Sequence, residues 1–208
     1  MRIAREGWPF IVGAGVVLVV FMLLHITVLT VLWAAVTLWV VAFFRDPRPT
    51  RPADDAVLLA PADGKVVSII ETDEPAFFGD RAVRISIFMN VFNCHVNRYP
   101  AAGTVRYRHY HPGRFGHAAD EKASLDNEQS SVGLETPRGR MLVRQIAGLV
   151  ARRIVTDHGV GTTVTQAERL GMIRFGSRVD LFLPVGTSVR VRVGERTRLA
   201  QTVVAAWK

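Results

Sequence analysis

Three side chains that could cooperate in nucleophilic catalysis occur far apart in the sequence, in the order Asp63, His95 and Ser177. They lie in the motifs PADGK, NCHVNRYP and RFGSRVDLFLP. A serine hydroxyl becomes a strong nucleophile when a neighbouring base takes its proton and an acid orients that base. The sequence therefore predicts a site at which these three segments meet.

Ser177 differs from an ordinary strand serine in the residue that precedes it. Gly176 interrupts a stretch, residues 171–184, that is otherwise typical of one β-strand, and glycine weakens a strand interior. No G-x-S-x-G elbow marks the serine as a hydrolase nucleophile. Because Gly176 has no Cβ, its carbonyl is open to attack by the hydroxyl of the next residue. The pattern favours self-cleavage between Gly176 and Ser177.

Each motif also allows a purely structural interpretation. PADGK is a common turn between strands, in which Asp63 caps its own backbone and Gly64 takes a positive φ. His95 could be one more surface or hydrogen-bonded histidine. The motif KASLDNEQS, with Asn127 and Glu128, is also typical of a polar loop. Single motifs leave these alternatives open, and only their combination points to catalysis.

The composition limits which cofactors the chain can use. A single cysteine, Cys94, excludes an internal disulfide and a Cys-rich zinc site. The motif RHYHPGRFGH contains His109, His111 and His117. It shows neither carboxylates nor a third ligand at a fixed spacing, so we predict no metal site. The chain contains only three lysines, which disfavours a pyridoxal enzyme with its Schiff-base lysine.

The N-terminal segment is typical of a membrane anchor. No charged side chain occurs between Trp8 and Phe44, and this run exceeds the about 20 residues of one span, so it fits two short helices or one strongly tilted helix; a single span would leave one basic flank on the wrong side. We therefore predict a hairpin of two short helices that turns near residues 25–30. Arginines flank both ends of the run, so the positive-inside rule places both ends in the cytoplasm. A cleaved signal peptide has a shorter apolar region.

The remaining chain divides into a linker and one catalytic domain. Residues 45–55 combine three prolines with charges and form a stiff linker after the anchor, residues 1–44. Residues 56–208 contain short β-type runs separated by Gly, Pro and Asp. Long amphipathic helices do not alternate with these runs. We predict a mainly β (α+β) domain, an antiparallel sandwich or barrel.

Three segments of this domain carry more specific expectations. In SVRVRVG, the valines at 189, 191 and 193 should share one strand face. Residues 144–155 fit either a helix or a pair of strands. Residues 162–171 fit a short helix or a turn.

The charge of the chain is compatible with two kinds of partner. The formal net charge is +8 and comes almost entirely from arginine. Such a charge suits nucleic acid or an anionic membrane surface. The apolar N-terminus favours the membrane, and aromatic residues do not interleave with basic ones in a pattern typical of nucleic-acid binding. We therefore predict a protein of the cell membrane with no nucleic-acid partner and with its catalytic domain on the cytoplasmic face.

Several motifs together resemble one known family. FFRDPRP, APADGKV, FMNVFNCHVNRYP, KASLDNEQS, RQIAGLVARRIV and RFGSRVDLFLP follow one another in a consistent order. In this they are similar to the short-form bacterial and archaeal phosphatidylserine decarboxylases, which are pyruvoyl-dependent enzymes made as self-cleaving proenzymes. The resemblance implies cleavage into a β chain, 1–176, and an α chain, 177–208, whose first residue becomes the pyruvoyl group.

The resemblance also implies roles for individual residues. The pyruvoyl group formed from Ser177 condenses with the amine of phosphatidylserine as a Schiff base and accepts electrons as carbon dioxide leaves, without pyridoxal phosphate or a metal. Asp63 matches the aspartate that activates the serine together with a histidine. Longer members carry two histidines in the motif that here offers His95 and then Arg98. One imidazole then serves both steps, or another such as His109 supplies the second.

Further expectations concern the partners. Arginine binds phosphate and carboxylate with two nitrogens at once, and the arginines predicted to contact the lipid head group are Arg98, Arg174 and Arg178. The predicted partners are phosphatidylserine in an anionic membrane and the two chains of one proenzyme, and a homodimer is also compatible with the resemblance. Two alternatives remain at this stage: a membrane-anchored Ser/His/Asp hydrolase, and a biotinyl- or lipoyl-like binding module suggested by APADGKVVSI.

Overall fold

The computed structural model describes residues 2–50, 53–113, 127–148, 153–174 and 177–207. The chain divides into two compact units, Met1–Arg48 and Pro49–Lys208. The helices are α1 (Trp8–Leu23) and α2 (Thr27–Phe43). The strands are β1 (Arg2–Ile3), β2 (Arg45–Asp46), β3 (Val57–Leu59), β4 (Gly64–Glu74), β5 (Asp80–Met89), β6 (Val96–Arg98), β7 (Gly103–His111), β8 (Gln129–Thr136), β9 (Gly139–Ala147), β10 (Ile154–Thr156), β11 (Thr163–Val164), β12 (Arg169–Ile173), β13 (Ser177–Pro184), β14 (Ser188–Val189), β15 (Arg196–Thr197) and β16 (Val203–Ala206).

The N-terminal unit is a helical hairpin. Helices α1 and α2 are separated by a short turn in which His25 has a positive φ of 54°. The indole N–H of Trp33 donates to the carbonyl oxygen of Ala14 at 2.8 Å, which ties the two helices together. Strands β1 and β2 pair the two ends of the hairpin. The predicted turn near residues 25–30 therefore coincides with the observed helix break.

The hairpin helices expose most of their large apolar side chains. Within the described part of the chain, the segment Arg5–Leu23 is the one helix long and apolar enough to cross a membrane. Helix α2 is apolar but slightly shorter, with 17 residues. A helix whose side chains are apolar all round has no polar face to present to water. This composition indicates membrane association.

The second unit is built on an eight-stranded antiparallel sheet that curls into a half-barrel. The strand order is β11-β7-β8-β9-β13-β5-β4-β15, so β13 lies between β9 and β5. Two three-stranded sheets, β10-β12-β6 and β14-β16-β3, complete the described part of the unit. The prediction of a mainly β, barrel-like domain is confirmed.

Strand β13 shows how the sequence places the core. Successive side chains of a strand point to opposite faces of its sheet. Val179, Leu181 and Leu183 point into the main core, which also contains the buried residues of β5, β8 and β9. The alternate residues of β13 point to the other face, where Phe182 packs in a small cluster with Leu142. Both faces are buried, which explains why almost every residue of this strand is inaccessible.

Two expectations about strands are corrected by the structure. Residues 171–184 form two strands, because β12 ends at Ile173 in a three-stranded sheet and β13 begins at Ser177 in the large sheet. The valines at 189, 191 and 193 do not share one strand face: β14 ends at 189, and Val193 is 61% exposed while Val191 is buried. There the chain bends, since Gly194 has a φ of 96° and donates its N–H to the carbonyl of Val66.

The two ambiguous segments are now assigned. In residues 144–155, the described parts belong to strands β9 and β10. Residues 162–171 contain β11, a turn with Ala167 at a φ of 65°, and the start of β12. Strands were not predicted within residues 162–171, and the local pattern of residues 144–155 did not separate helix from strand, because short apolar runs lack a distinctive period.

Candidate active site

Three neighbouring strands of the large sheet end side by side and bring the predicted catalytic segments together. Lys65 of β4 pairs with Phe88 of β5, and Phe88 pairs with Arg178 of β13. Asp63 precedes Lys65 by two residues, and Ser177 precedes Arg178 by one. Both therefore lie at the same end of the sheet. The loop that follows β5 at this end, residues 90–95, carries the predicted histidine.

Asp63 is positioned by contacts with that loop. Its Oδ2 accepts a hydrogen bond from the backbone N–H of Cys94 at 3.0 Å and from the side-chain amide of Asn93 at 3.4 Å. The next residue, Gly64, does not take the positive φ expected of a turn glycine. It is required for a different reason: a Cβ at this position would collide with the carbonyl oxygen of Phe88. The close approach of β4 to β5 thus fixes the aspartate beside the loop.

His95 is fully buried at the end of the same loop. Its Nδ1 lies 3.0 Å from the carbonyl oxygen of Asn93. Since a carbonyl oxygen can only accept, Nδ1 carries the proton in this contact, and Nε2 is the basic nitrogen of the neutral ring. The backbone carbonyl of His95 accepts from the N–H of Ile173, four residues before Ser177. The histidine is therefore held next to the segment that leads into β13.

Ser177 begins β13 and is completely buried. Its backbone is paired with Met89 on one side and Ala147 on the other. Among the residues that the structure describes, its hydroxyl has no hydrogen-bond partner. A buried hydroxyl without a partner is costly and rare, and such groups often belong to reactive sites. Gly176, the residue on the other side of the predicted cut, lies outside the described residues.

The motif that contains Asn127 and Glu128 also reaches this end of the sheet. The side-chain amide of Asn127 donates to the carbonyl of Ala147 at 2.7 Å, and the N–H of Ala147 donates to the carbonyl of Glu128. The phenol of Tyr110 donates to the Glu128 carboxylate at 2.8 Å, and this hydrogen bond raises the pKa of Tyr110. Both motif residues are buried. They are therefore part of the wall around Ser177.

The three arginines proposed for substrate contacts differ in burial. Arg98 is buried and donates to the carbonyl oxygen of Ala167 at 2.9 Å. Arg178 forms a buried, two-contact ion pair with Asp180, at 2.8 and 3.0 Å. Arg174 follows β12 and is half-buried. Arg174 and Arg178 flank Ser177 in the sequence, and the structure gives Arg98 and Arg178 contacts inside the protein.

A buried polar chain behind the site was missed by the sequence reasoning. Gln145 donates to the Oδ1 of Asn97 at 2.8 Å and accepts from the hydroxyl of Thr156 at 3.0 Å. The hydroxyl of Ser130 lies 2.9 Å from the hydroxyl of Thr156 and extends this hydrogen-bond network. These side chains connect β6, β9, β10 and β8, so they fix the strand that leaves His95. Polar residues inside otherwise apolar strand segments were the signal in the sequence.

The histidine-rich segment does not form a recognisable metal centre in the described part of the chain, where no three His, Cys, Asp or Glu side chains lie close enough to hold an ion. His109 lies on β7 and stacks on Tyr107, with 6.3 Å between the ring centres. The third histidine of that motif, His117, lies outside the described residues.

Comparison with known proteins gives one consistent result. The family model described as phosphatidylserine decarboxylase matches residues 36–205. A phosphatidylserine decarboxylase proenzyme of Symbiobacterium thermophilum is 47% identical over 97% of this chain and 94% of its own length. Proteins with the same name from Syntrophotalea carbinolica and Geotalea uraniireducens are 49% and 44% identical over 99% and 97% of this chain, and over 97% and 95% of their own lengths.

Proposed function

The chain belongs to the phosphatidylserine decarboxylase family, and we propose that it is a proenzyme that cuts itself between Gly176 and Ser177 and then decarboxylates phosphatidylserine through a pyruvoyl group. The observation that carries this proposal is the buried hydroxyl of Ser177, which has no partner among the described residues and lies at the sheet end shared with Asp63. Because this family is a family of decarboxylases, the chain is a decarboxylase.

Self-cleavage and pyruvoyl formation use only groups of the chain itself and one water molecule. The Ser177 oxygen attacks the Gly176 carbonyl carbon, the peptide C–N bond breaks, and an ester with a free serine amine results. A base then removes the α-proton of residue 177, and the ester oxygen leaves with Gly176 as a carboxylate. The unsaturated residue that remains adds water and loses ammonia, which leaves a ketone next to the amide carbonyl. Every oxygen and proton is accounted for without an external oxidant.

His95 and Asp63 are the groups we assign to proton transfer. The Nδ1 contact with the Asn93 carbonyl directs Nε2 to act as the base toward the Ser177 proton. Asp63 holds the backbone of the loop that carries His95, through Cys94. Its negative charge also stabilises the imidazolium that forms.

The surroundings of Ser177 fit a pyruvoyl group at the head of the α chain. The group supplies a carbonyl that condenses with the substrate amine and an electron sink for the bond to the departing carboxylate. Strand β13 pairs with β5 over all eight of its residues and with β9 over six. The α chain, 177–208, therefore stays in the centre of the sheet after the cut. The backbones of Met89 and Ala147 hold the new terminus in place.

The anchor, linker and charge suit a lipid substrate. We assign residues 1–44 to a membrane hairpin, residues 45–55 to the linker and residues 56–208 to the catalytic domain, on the cytoplasmic side. Near the end of the linker, the side chain of Gln166 accepts from the N–H of Asp54 at 2.8 Å and donates to its carbonyl. The linker is thus fastened to the catalytic unit shortly before β3.

The activity is tested with phosphatidylserine that carries an isotopic label in its serine carboxyl group. The full-length protein in detergent micelles should release labelled carbon dioxide and form phosphatidylethanolamine. Ser177→Ala should release none, because it cannot form the ketone. Release of label by that variant, or hydrolysis of an ester by the wild type without release of carbon dioxide, would refute the proposal and favour the hydrolase alternative.

A further inference from the structure

Two positive side chains lie directly opposite each other at the edge of the large sheet, next to the candidate active site. In the pairing of β15 with β4, Arg196 is the partner of Lys65, so both side chains project to the same face. Both are exposed, and in the described part of the chain neither forms an ion pair with a carboxylate. Like charges placed opposite each other destabilise a strand pair. An anion between them would reverse this effect.

These two residues line a cleft together with a third cation and with Asp63. The cleft has a volume of about 630 Å³ and is also lined by Arg198 and Phe88. Arg198 is exposed and, like the other two cations, has no carboxylate partner among the described residues. One carboxylate therefore faces three cations across the cleft. The excess of positive charge suits a phosphodiester.

The backbone at the cleft is connected to the reacting serine through two strand pairings. Phe88 lines the cleft, and its partner in the next strand is Arg178, which follows Ser177. Lys65 and Arg178 are separated by two strand spacings, about 10 Å between backbones. A lysine side chain and a serine head group together can bridge such a gap. A lipid phosphate bound at the cations would thus lie at the same end of the sheet as residue 177, two strands away.

The rim of the cleft carries an exposed apolar tip. The turn of residues 90–93 lines the cleft with Asn90, Phe92 and Asn93. Phe92 is 72% exposed and Val91 is 36% exposed. The turn is closed by hydrogen bonds of Asn90 and Asn93, including Asn90 N–H to Asn93 Oδ1 at 2.9 Å. A preformed turn thus presents two apolar side chains beside a cluster of cations, a combination that suits an anionic bilayer surface.

We propose that this cleft is the lipid-docking site: Lys65, Arg196 and Arg198 bind the phosphodiester of a phospholipid that is still in the bilayer, while Val91 and Phe92 insert between the lipid head groups. The identity of the lipid as phosphatidylserine rests on the proposed function. The docking itself depends only on the cations and the apolar tip. Together they bring a bilayer lipid to the sheet end without its extraction into water.

The phosphate contact is tested by substrate kinetics. The double variant Lys65→Gln/Arg196→Gln is compared with Arg190→Gln/Arg192→Gln, which removes two exposed arginines of the neighbouring segment that do not line the cleft. With short-chain phosphatidylserine in detergent, the cleft variant should show a KM about tenfold higher, the factor that corresponds to about 1.4 kcal/mol of binding free energy. Its kcat and its self-cleavage should stay within about twofold of wild type. An unchanged KM, or equal effects of both variants, would overturn the phosphate assignment.

Insertion of the tip is tested by a depth measurement. The full-length protein is reconstituted in vesicles of phosphatidylcholine and phosphatidylglycerol, which is anionic but not a substrate. A fluorophore on Phe92→Cys should be quenched by lipids that carry a quencher near the head group. The same fluorophore on Val160→Cys, at a position 62% exposed on a different loop, should not be quenched. The natural cysteine, Cys94, is buried, and the labelled wild type serves as the blank.

Each result has a separate meaning. Equal quenching at positions 92 and 160, or none at 92, would refute insertion while leaving decarboxylation untouched. A wild type that releases no carbon dioxide would refute the proposed function, yet quenching confined to position 92 would still support docking. In addition, Phe92→Ser should raise the KM with vesicles and leave the KM with short-chain lipid in detergent unchanged, because only the bilayer requires insertion.

Discussion

Replacement of Asp63 by asparagine removes a charge from the candidate active site and keeps the shape of the side chain. Asp63 accepts the N–H of Cys94 at 3.0 Å and a weaker contact from Asn93 at 3.4 Å. An asparagine can still offer its carbonyl oxygen to the N–H of Cys94. The perturbation therefore separates the electrostatic role of the aspartate from its role in holding the loop.

The two roles predict effects of different size. A hydrogen bond to a charged group contributes about 1.5–3 kcal/mol to stability, and a neutral one contributes about 0.5–1.5 kcal/mol. Because Asp63→Asn converts one good charged contact into a neutral one, it should lower the free energy of unfolding by about 1 kcal/mol. General acid–base groups contribute about 10²- to 10⁴-fold in rate. We therefore expect Asp63→Asn to fold almost normally but to cut itself at least about 100-fold more slowly. In Asp63→Ala the free energy of unfolding should fall by a further 1–3 kcal/mol, which is roughly the cost of an unpaired buried N–H.

The assay combines two measurements on the same preparations. Intact mass under denaturing conditions gives the cut fraction as a function of time after synthesis, and urea titration gives the free energy of unfolding. Asp73→Asn is the matched control, since Asp73 is exposed near the opposite end of β4. Self-cleavage of Asp63→Asn at the wild-type rate would show that Asp63 is only a structural residue and would refute the reasoning.

Three further predictions follow from other contacts of the site. His95→Ala should block or strongly slow self-cleavage because the base is lost, and a variant with normal cleavage and turnover would remove the histidine from the mechanism. Gly64→Ala should lower the urea midpoint and slow cleavage, because the added Cβ meets the Phe88 carbonyl; an unchanged midpoint would contradict the close approach. Asp180→Ala should destabilise the fold by about 3–5 kcal/mol, since it leaves Arg178 buried without its carboxylate, whereas Arg178→Met/Asp180→Leu should recover most of that loss. Equal stability of the single and double variants would refute the ion-pair argument.

The sequence supports a hypothesis about the chemistry of the site, whereas its geometry comes from the fold. Residue types and neighbours make Ser177 the candidate, because the Gly-Ser pair has a chemical meaning independent of the fold. The relation of Asp63 to Ser177 depends on the pairing of β4, β5 and β13, which joins residues more than 100 positions apart. Local patterns do not encode such a register, because it is set by packing of the whole sheet.

The dependence on long-range strand pairing also explains which other features could not be predicted from the sequence. Lys65 and Arg196 become neighbours only because β15 adds to the edge of β4. The change of sheet after Ile173 could not be predicted, since only residues 174–176 separate β12 from β13 and the whole stretch is typical of one strand. The lipid contacts of Arg98 and Arg178 remain a prediction from residue type, and local pattern did not indicate their contacts with Ala167 and Asp180.

The most direct test of the account is the intact mass of the purified full-length protein under denaturing conditions, beside Ser177→Ala. We predict that the wild type separates into two chains, the smaller with 32 residues (208 − 176). This chain should be lighter by one ammonia than the fragment that simple hydrolysis would give, and its terminus should react with a carbonyl reagent. The variant should stay whole. A folded wild type that remains uncut, or a fragment that begins with an intact serine, would contradict the pyruvoyl mechanism.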